Sequence, residues 1–315
     1  MSGFYSQLTR EGLLQLTGPD ARTFLQGQAS CDVRELSASH GMPGVICSVQ
    51  GRVTCDFLLC QLQAEHLLLR MRRDILPLSQ EVLGKYSVFS KVKLNANPDD
   101  MTVLGCWGED CAQIIDDVAG AVPEQSFDTV SGDGFVIVRS PTGGEVFECY
   151  LNTTQNAVAS EFKRRFQECS ENEWHVRQVQ NGVARIEANT SGEFVPQVLN
   201  FDLSSHISFT KGCYTGQEVV ARLHYRGKPK RRLYYAELEG QPDTDDSTIE
   251  LGAPLFSQER TGAVGNLINS ARTDSGLCCL LVTATEQGAA TGLHLHSQQG
   301  PKLILTPAPL AVDVH

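Results

Sequence analysis

After Arg232 the chain stops offering helical periodicity. Six short apolar runs follow, at 233–238, 254–257, 263–269, 278–283, 293–297 and 302–305, each set off by Gly, Pro or Asp. Runs of that length with those breakers read as strands. Six of them in succession predict a small antiparallel barrel over 229–315. The stretch 240–247, rich in aspartate, reads as an acidic loop between two of them.

The chain upstream has to be of another class. Over 1–100 the pattern is mixed: a strand at 13–16, then a helix opened by Gly18-Pro19-Asp20, with Ala21, Phe24 and Leu25 on one face and Gly27 as its stop. A hairpin follows, 45–49 with 52–62, turning at Gln50-Gly51. In its second arm Val53, Cys55, Phe57 and Leu59 share one face, and Thr54, Asp56 and Leu58 the other. A strand at 65–71 and a helix at 75–86 complete the region. From 101 to 173 the order is strand, helix, strand, strand, helix. One further strand, either 174–179 or one lent by the first region, would make it ferredoxin-like. The fold class is therefore α+β in three lobes: 1–100 completed by about 174–228, 101–173, and 229–315.

At 315 residues, 41% apolar and 20% charged, the chain is an ordinary globular one of more than one core. It has no apolar run near the roughly 20 residues a membrane span needs. Its start, MSGFYSQLTREG, has no apolar signal region, so a cytoplasmic protein is expected. Eleven scattered cysteines without a C-x-x-C pair suit reduced thiols. His294-x-His296 would share one strand face, a weak basis for a metal, and no metal site is expected. A net charge of −11 argues against general nucleic-acid binding. The local exception is Arg222, Arg226, Lys228, Lys230, Arg231 and Arg232, interleaved with His224 and Tyr225. Such a run is either a solvated face or the rim of a site for an anionic ligand.

The chemically richest stretch is ISFTKGCYTGQE, 207–218. It sets Cys213 two residues after Lys211, between Gly212 and Gly216, ahead of a short helix starting at Gln217. A nearby cation or helix start lowers a thiol pKa. From the residues alone an activated thiol and a small half-buried one are equally good readings.

KGCYTGQE resembles the signature of the YgfZ family of folate-binding proteins, relatives of the glycine-cleavage T protein, an aminomethyltransferase. LTGPDARTFLQGQASCD (16–32), KYSVFSKV (85–92) and SGEFVPQVLN (191–200) resemble three further blocks of that family, in the same order. The resemblance implies a T-protein-like arrangement of the three lobes around a central opening that binds tetrahydrofolate. It implies Trp174 as the aromatic wall for the pterin. Glu193 would pair with the pterin edge, and Arg226 with the glutamate tail. Two positions depart from the family: Glu11 stands where some members carry a second tryptophan, and Gln180 where the T protein carries a glutamate. The T protein's aspartate segment, G-G-I-x-D-D, is matched by Gly51-Arg52-Val53-Thr54-Cys55-Asp56. Its first aspartate has become Cys55, and Asp56 points to the opposite face, which argues against aminomethyl transfer.

The expectation is thus a monomeric, folate-binding accessory protein supporting iron-sulfur enzymes, tRNA-thiolating ones among them. Cys213 is its reactive residue and Lys211 the activator. Two alternatives stand beside it: a folate-dependent one-carbon transferase working through Asp56, and an RNA-binding factor working through 222–232. Direct nucleic-acid binding is not expected from the acidic surface.

Overall fold

The computed structural model describes residues 3–96, 98, 100–154, 157–239, 249–274, 276 and 278–309. The acidic stretch 240–247 lies outside them. The first region contributes strands β1 (Phe4–Gln7) and β2 (Glu11–Thr17) and helix α1 (Ala21–Gln26). It continues with β3 (Met42–Cys47), β4 (Val53–Gln63), β5 (His66–Arg72), α2 (Leu76–Tyr86) and β6 (Lys93–Ala96). Five of its strands form an antiparallel sheet in the order β3-β4-β5-β2-β6. Strand alternation is strict here. Val53, Cys55, Phe57 and Leu59 of β4 and Leu67, Leu69 and Met71 of β5 join one core beneath α1 and α2. Asp56, Leu58, Arg70 and Arg72 therefore face the other way.

That second face packs on another sheet. After β6 come β7 (Met101–Trp107), α3 (Cys111–Ala119), β8 (Thr129–Gly132), β9 (Phe135–Arg139), β10 (Val146–Asn152), α4 (Ala157–Arg165) and β11 (Gln167–Glu168). The strand order is β11-β1-β7-β10-β9-β8, with β1 and β11 parallel and the other pairs antiparallel. The missing strand is thus β1, lent by the first region; 174–179 is instead part of helix α5 (Glu171–Gln180). Ser170 caps α5 by accepting from the Asn172 amide, and Glu171 and Glu173 in its first turn suit the positive end of a helix. Leu104, Cys106, Phe147 and Cys149 of the second sheet pack under α3 and α4. Val103, Trp107, Val136 and Tyr150 pack against Leu13, Leu58 and Leu68 of the first sheet.

Trp174 is 2% exposed and closes this inter-sheet layer, its ring centroid 6.2 Å from that of Trp107. A Cβ on Gly105 would stand 2.4 Å from the Trp174 ring, so glycine makes the fit.

The last region opens with α6 (Gln217–Arg226), longer by a turn than the sequence suggests. Strands β12 (Arg232–Leu238), β13 (Pro254–Ser257), β14 (Arg260–Arg272) and β15 (Cys278–Ala284), helix α7 (Glu286–Thr291), and strands β16 (Leu293–Leu295) and β17 (Lys302–Pro307) follow. The strands close into a six-stranded antiparallel barrel, β12-β15-β14-β13-β16-β17. Helix α7 corrects the expectation of an all-strand region; Thr285 caps it through the Gly288 amide. His294 and His296 do not share a strand face. His294 is buried with Nδ1 2.8 Å from the Gly300 carbonyl, whereas His296 lies beyond the strand at φ 64°. Asn269 of β14 docks the barrel on the rest: its side chain accepts from the Arg185 amide (2.8 Å) and donates to the Arg185 carbonyl (3.0 Å).

Gly105→Ala is expected to overpack the Trp174 contact and to lower the unfolding free energy in urea by about 1–3 kcal/mol. An unchanged midpoint would contradict the packing described.

Candidate functional site

The alternation of β4 decides where chemistry can occur. Cys55 turns into the core, fully buried, and burial pushes its thiol pKa up to about 12. Asp56 turns to the inter-sheet layer, where the extended segment after α5 runs beside it. Asp56 Oδ2 accepts from Arg185 Nε at 2.6 Å, and Oδ1 from the Ile186 amide at 2.7 Å. The Arg185 guanidinium reaches on to Glu11, both nitrogens at 3.0 Å.

Glu11 opens β2 opposite Arg72 of β5, whose Nη1 is 3.2 Å away. Two residues along the same face, Arg70 makes a two-pronged pair with Glu148 of β10 at 2.7 and 2.6 Å. Tyr150 donates to the same carboxylate at 2.9 Å. Three arginines and three carboxylates, none more than 7% exposed, thus bridge the two sheets. Burial opposes ionisation of Glu11, but Arg185, Arg70 and Arg72 overcome it and hold its carboxyl far below the usual range.

One wall of this network lines a cavity. Asp56, Arg70, Glu148 and Arg185 form its charged side, and Phe127 and Phe201 its aromatic side. The space is tight, about 40 Å³, enough for a few waters. Gln178 reaches it from α5, one turn after Trp174. It is 6% exposed, and among the described residues its Nε2 has no hydrogen-bond partner. His206 stacks on Phe201 at 4.3 Å with Nδ1 2.8 Å from the Ser204 carbonyl. A carbonyl can only accept, so the proton sits on Nδ1 and leaves Nε2 as an acceptor. Burial pushes the His206 pKa down to about 4, keeping the ring neutral near pH 7.

The signature loop sits elsewhere. Its Lys211 is 6% exposed, and its Nζ donates to the carbonyls of Gln26, Ala29 and Cys31 at 2.8, 2.6 and 2.8 Å. All three ammonium protons are committed to the end of α1 and the turn that follows it. Cys213 is exposed, in contrast to nine buried cysteines and the half-buried Cys169. Of the flanking glycines, Gly216 is required: φ is 84° and a Cβ would meet the Ser48 carbonyl at 2.3 Å. Nothing comes within 4 Å of a Cβ at Gly212. The β3–β4 turn is the loop's platform, with Val219 against Gly51.

The expected site residues therefore separate. Trp174 is walled into the core, Glu193 is exposed with its backbone carbonyl bound by Arg52, and Arg226 is exposed at the end of α6. None of these three, nor Cys213 or Lys211, lines the cavity. The polar residues that do line it and that sequence reasoning missed include Arg70, Glu148, Gln178, Arg185 and His206. A helical reading of 171–180 would have put Gln178 on the face of Trp174. Gln180 is exposed outside the cavity, its amide 3.8 Å from Cys279 Sγ. Among the described residues no three of His, Cys, Asp or Glu group to hold a metal, and no helix is long and apolar enough to cross a membrane.

Two outcomes follow from the geometry. Because the folded-state pKa of Glu11 is depressed, its contribution is complete above about pH 4.5 and is lost as the pH falls below it. Urea midpoints measured down to about pH 3 should fall in the parent; in Glu11→Gln they should start lower and fall less steeply. Lys211→Met should lower stability by about 2 kcal/mol or more through three orphaned carbonyls. Alkylation of Cys213 in the still-folded variant should keep its rate, and a large fall would restore an activating role to the lysine.

No protein-family model matches the chain. Curated relatives do. The tRNA-modifying protein YgfZ of Colwellia psychrerythraea is 31% identical over 296 residues, 93% of this chain and 88% of the relative. That of Photobacterium profundum is 33% identical over 313 residues, 95% and 88% of the two chains. Among solved structures, the glycine cleavage system aminomethyltransferase T of Bartonella henselae superposes with a TM-score of 0.75 over 99% of this chain and 87% of its own, at 15% identity. The fold is thus the T-protein fold, and with such relatives along nearly its whole length the chain belongs to the YgfZ family of tRNA-modifying proteins.

Proposed function

We propose that this protein is a folate-binding accessory factor in tRNA modification, supporting iron-sulfur enzymes, with tetrahydrofolate held in the cavity at Asp56, Gln178 and His206. The observation that carries the reading is the orphaned amide of Gln178. A buried donor without a partner is costly unless a ligand accepts from it. Here it shares a cavity with two acceptors, the Asp56 carboxylate and His206 Nε2. The edge of a pterin carries both a carbonyl and N–H groups and can answer that set, while Phe127 and Phe201 line the same cavity. The T-protein fold and the tRNA-modifying relatives support the same assignment.

Ligand pockets usually hold about 300–1,000 Å³. Admitting a heterocycle into about 40 Å³ requires a wall to move. Pro309 is the wall residue suited to it: it is exposed while lining the cavity, its carbonyl packs on Gly182, and it has no N–H to pin it. Cys213, the exposed thiol, is assigned to partner proteins or substrate outside the cavity.

Titration with tetrahydrofolate tests the assignment. Gln178→Leu removes a group that bonds nothing in the protein, so it should leave stability intact and weaken binding about 3- to 10-fold. Cys213→Ala should bind folate normally and fail to restore function in a strain lacking the gene. Equal folate affinity in parent and Gln178→Leu would remove folate from this cavity. A second reading, a folate-dependent one-carbon transferase, has one observation in its favour: Asp56, rather than Cys55, faces the cavity. It requires tetrahydrofolate-dependent consumption of a formaldehyde-level donor that survives Cys213→Ala and is lost in Asp56→Asn.

A further inference from the structure

We propose that the C-terminal half of α6 and the loop after it form a contact for single-stranded nucleic acid. Phosphates would lie against Arg222, Arg226, Lys228 and Lys230, with a base on the Tyr225 ring.

The charge is uncompensated. Among the described residues none of these four cations has an acidic partner, and all four are exposed. Their neighbours are spent: Arg231 donates to Asn266 and the Ala263 carbonyl, and Arg232 is locked to Asp202 at 2.6 and 3.0 Å. On a chain of net charge −11, four free cations in one place form a local site for polyanions.

A platform stands beside them. Phe209 and His224 stack at 3.6 Å with their planes 14° apart, and Tyr225 meets both edge-on. Tyr225 is 67% exposed, while its hydroxyl donates to the Phe209 carbonyl at 3.4 Å, so its orientation is fixed and its face is open. Rigid exposed rings among cations are the elements with which proteins hold unpaired bases and their backbone.

The third observation is independent. Beside the rings lies an open groove of about 460 Å³, lined by Gln197, Asp202, His224, Lys228 and Arg232 among others. Gln197 is 1% exposed; its Nε2 donates to the Val220 carbonyl at 2.8 Å, and its Oε1 has no partner among the described residues. A buried acceptor on a cationic groove calls for a ligand that is anionic yet brings a donor. A nucleotide strand does so through phosphate and base amino or ribose hydroxyl groups. An acidic polypeptide could supply charge and N–H, but it has no use for an open ring face.

The groove shares no lining residue with the cavity at Asp56 and Gln178, and the proposal rests on the tRNA reading only for the expectation that the strand is RNA. The test is fluorescence anisotropy of labelled oligouridine with the full chain across a salt series, with tetrahydrofolate titrated into the same variants. Arg226→Glu with Lys228→Glu should weaken RNA binding at least about tenfold and reduce the slope of log affinity against log salt by about one to two units. Tyr225→Leu should weaken it about fivefold or more, with Tyr225→Phe close to the parent. Equal RNA affinity in the parent and the charge-reversed variant overturns the proposal, as does undetectable binding by the parent. Polyglutamate competing as well as oligouridine would make the surface an acidic-polypeptide site instead. Folate binding retained in these variants leaves the cavity reading untouched by either result.

Discussion

The pairing of Arg185 with Glu11 and Asp56 holds the molecule's functional half in place. It joins the segment after α5 to two strands of the first sheet, while the Arg185 backbone is read by Asn269 of the barrel. Arg70 extends the network to Glu148 on the second sheet. Buried ions of this kind add little net stability compared with apolar packing, yet removing one partner is severe because the other is left charged in a dry layer. The network therefore fixes geometry: the two sheets, the barrel and the cavity wall can meet in only one register without stranding a charge.

The same strand alternation that creates the network separates two kinds of cysteine and carboxylate. Cys55 and Asp56 are neighbours in sequence and opposites in environment, one an inert core thiol and the other a cavity carboxylate. The exposed thiol that remains, Cys213, is presented on a loop seated by Gly216 and anchored from below by Lys211. A conspicuous lysine next to a cysteine can thus be a staple for backbone carbonyls.

What could be read from the residues was what short-range periodicity controls. The hairpin at 42–63, the 111–119 helix and most barrel strands appear where apolar alternation and glycine or proline breaks put them. The helix over 171–180 was obscured because its polar face, with Glu171, Glu173, Arg177 and Gln180, carries few apolar landmarks beyond Trp174, Val176 and Val179. Helix α7, six residues set by a threonine cap, is too short for a period to show. The signature motif located the exposed thiol, but the cavity is assembled from residues 56, 70, 148, 178, 185 and 206, brought together by long-range pairing that no local pattern records. Trp174 illustrates the limit: no local pattern records that Gly105, about seventy residues earlier on β7, lies against its ring.

Strand β1 has an implication for how the polypeptide is made. It lies between β7 and β11, with Phe4 opposite both Trp107 and Gln167. On the ribosome, β1 has no strand neighbour until its partners Leu104 to Trp107 have emerged, and its second edge waits longer still, for Gln167 and Glu168. The first sheet can close around β2 to β6 in the meantime, leaving a tethered, unpaired edge ahead of it. Such an edge invites pairing with another nascent chain, so the vulnerable interval in the biogenesis of this fold spans the synthesis of its first half.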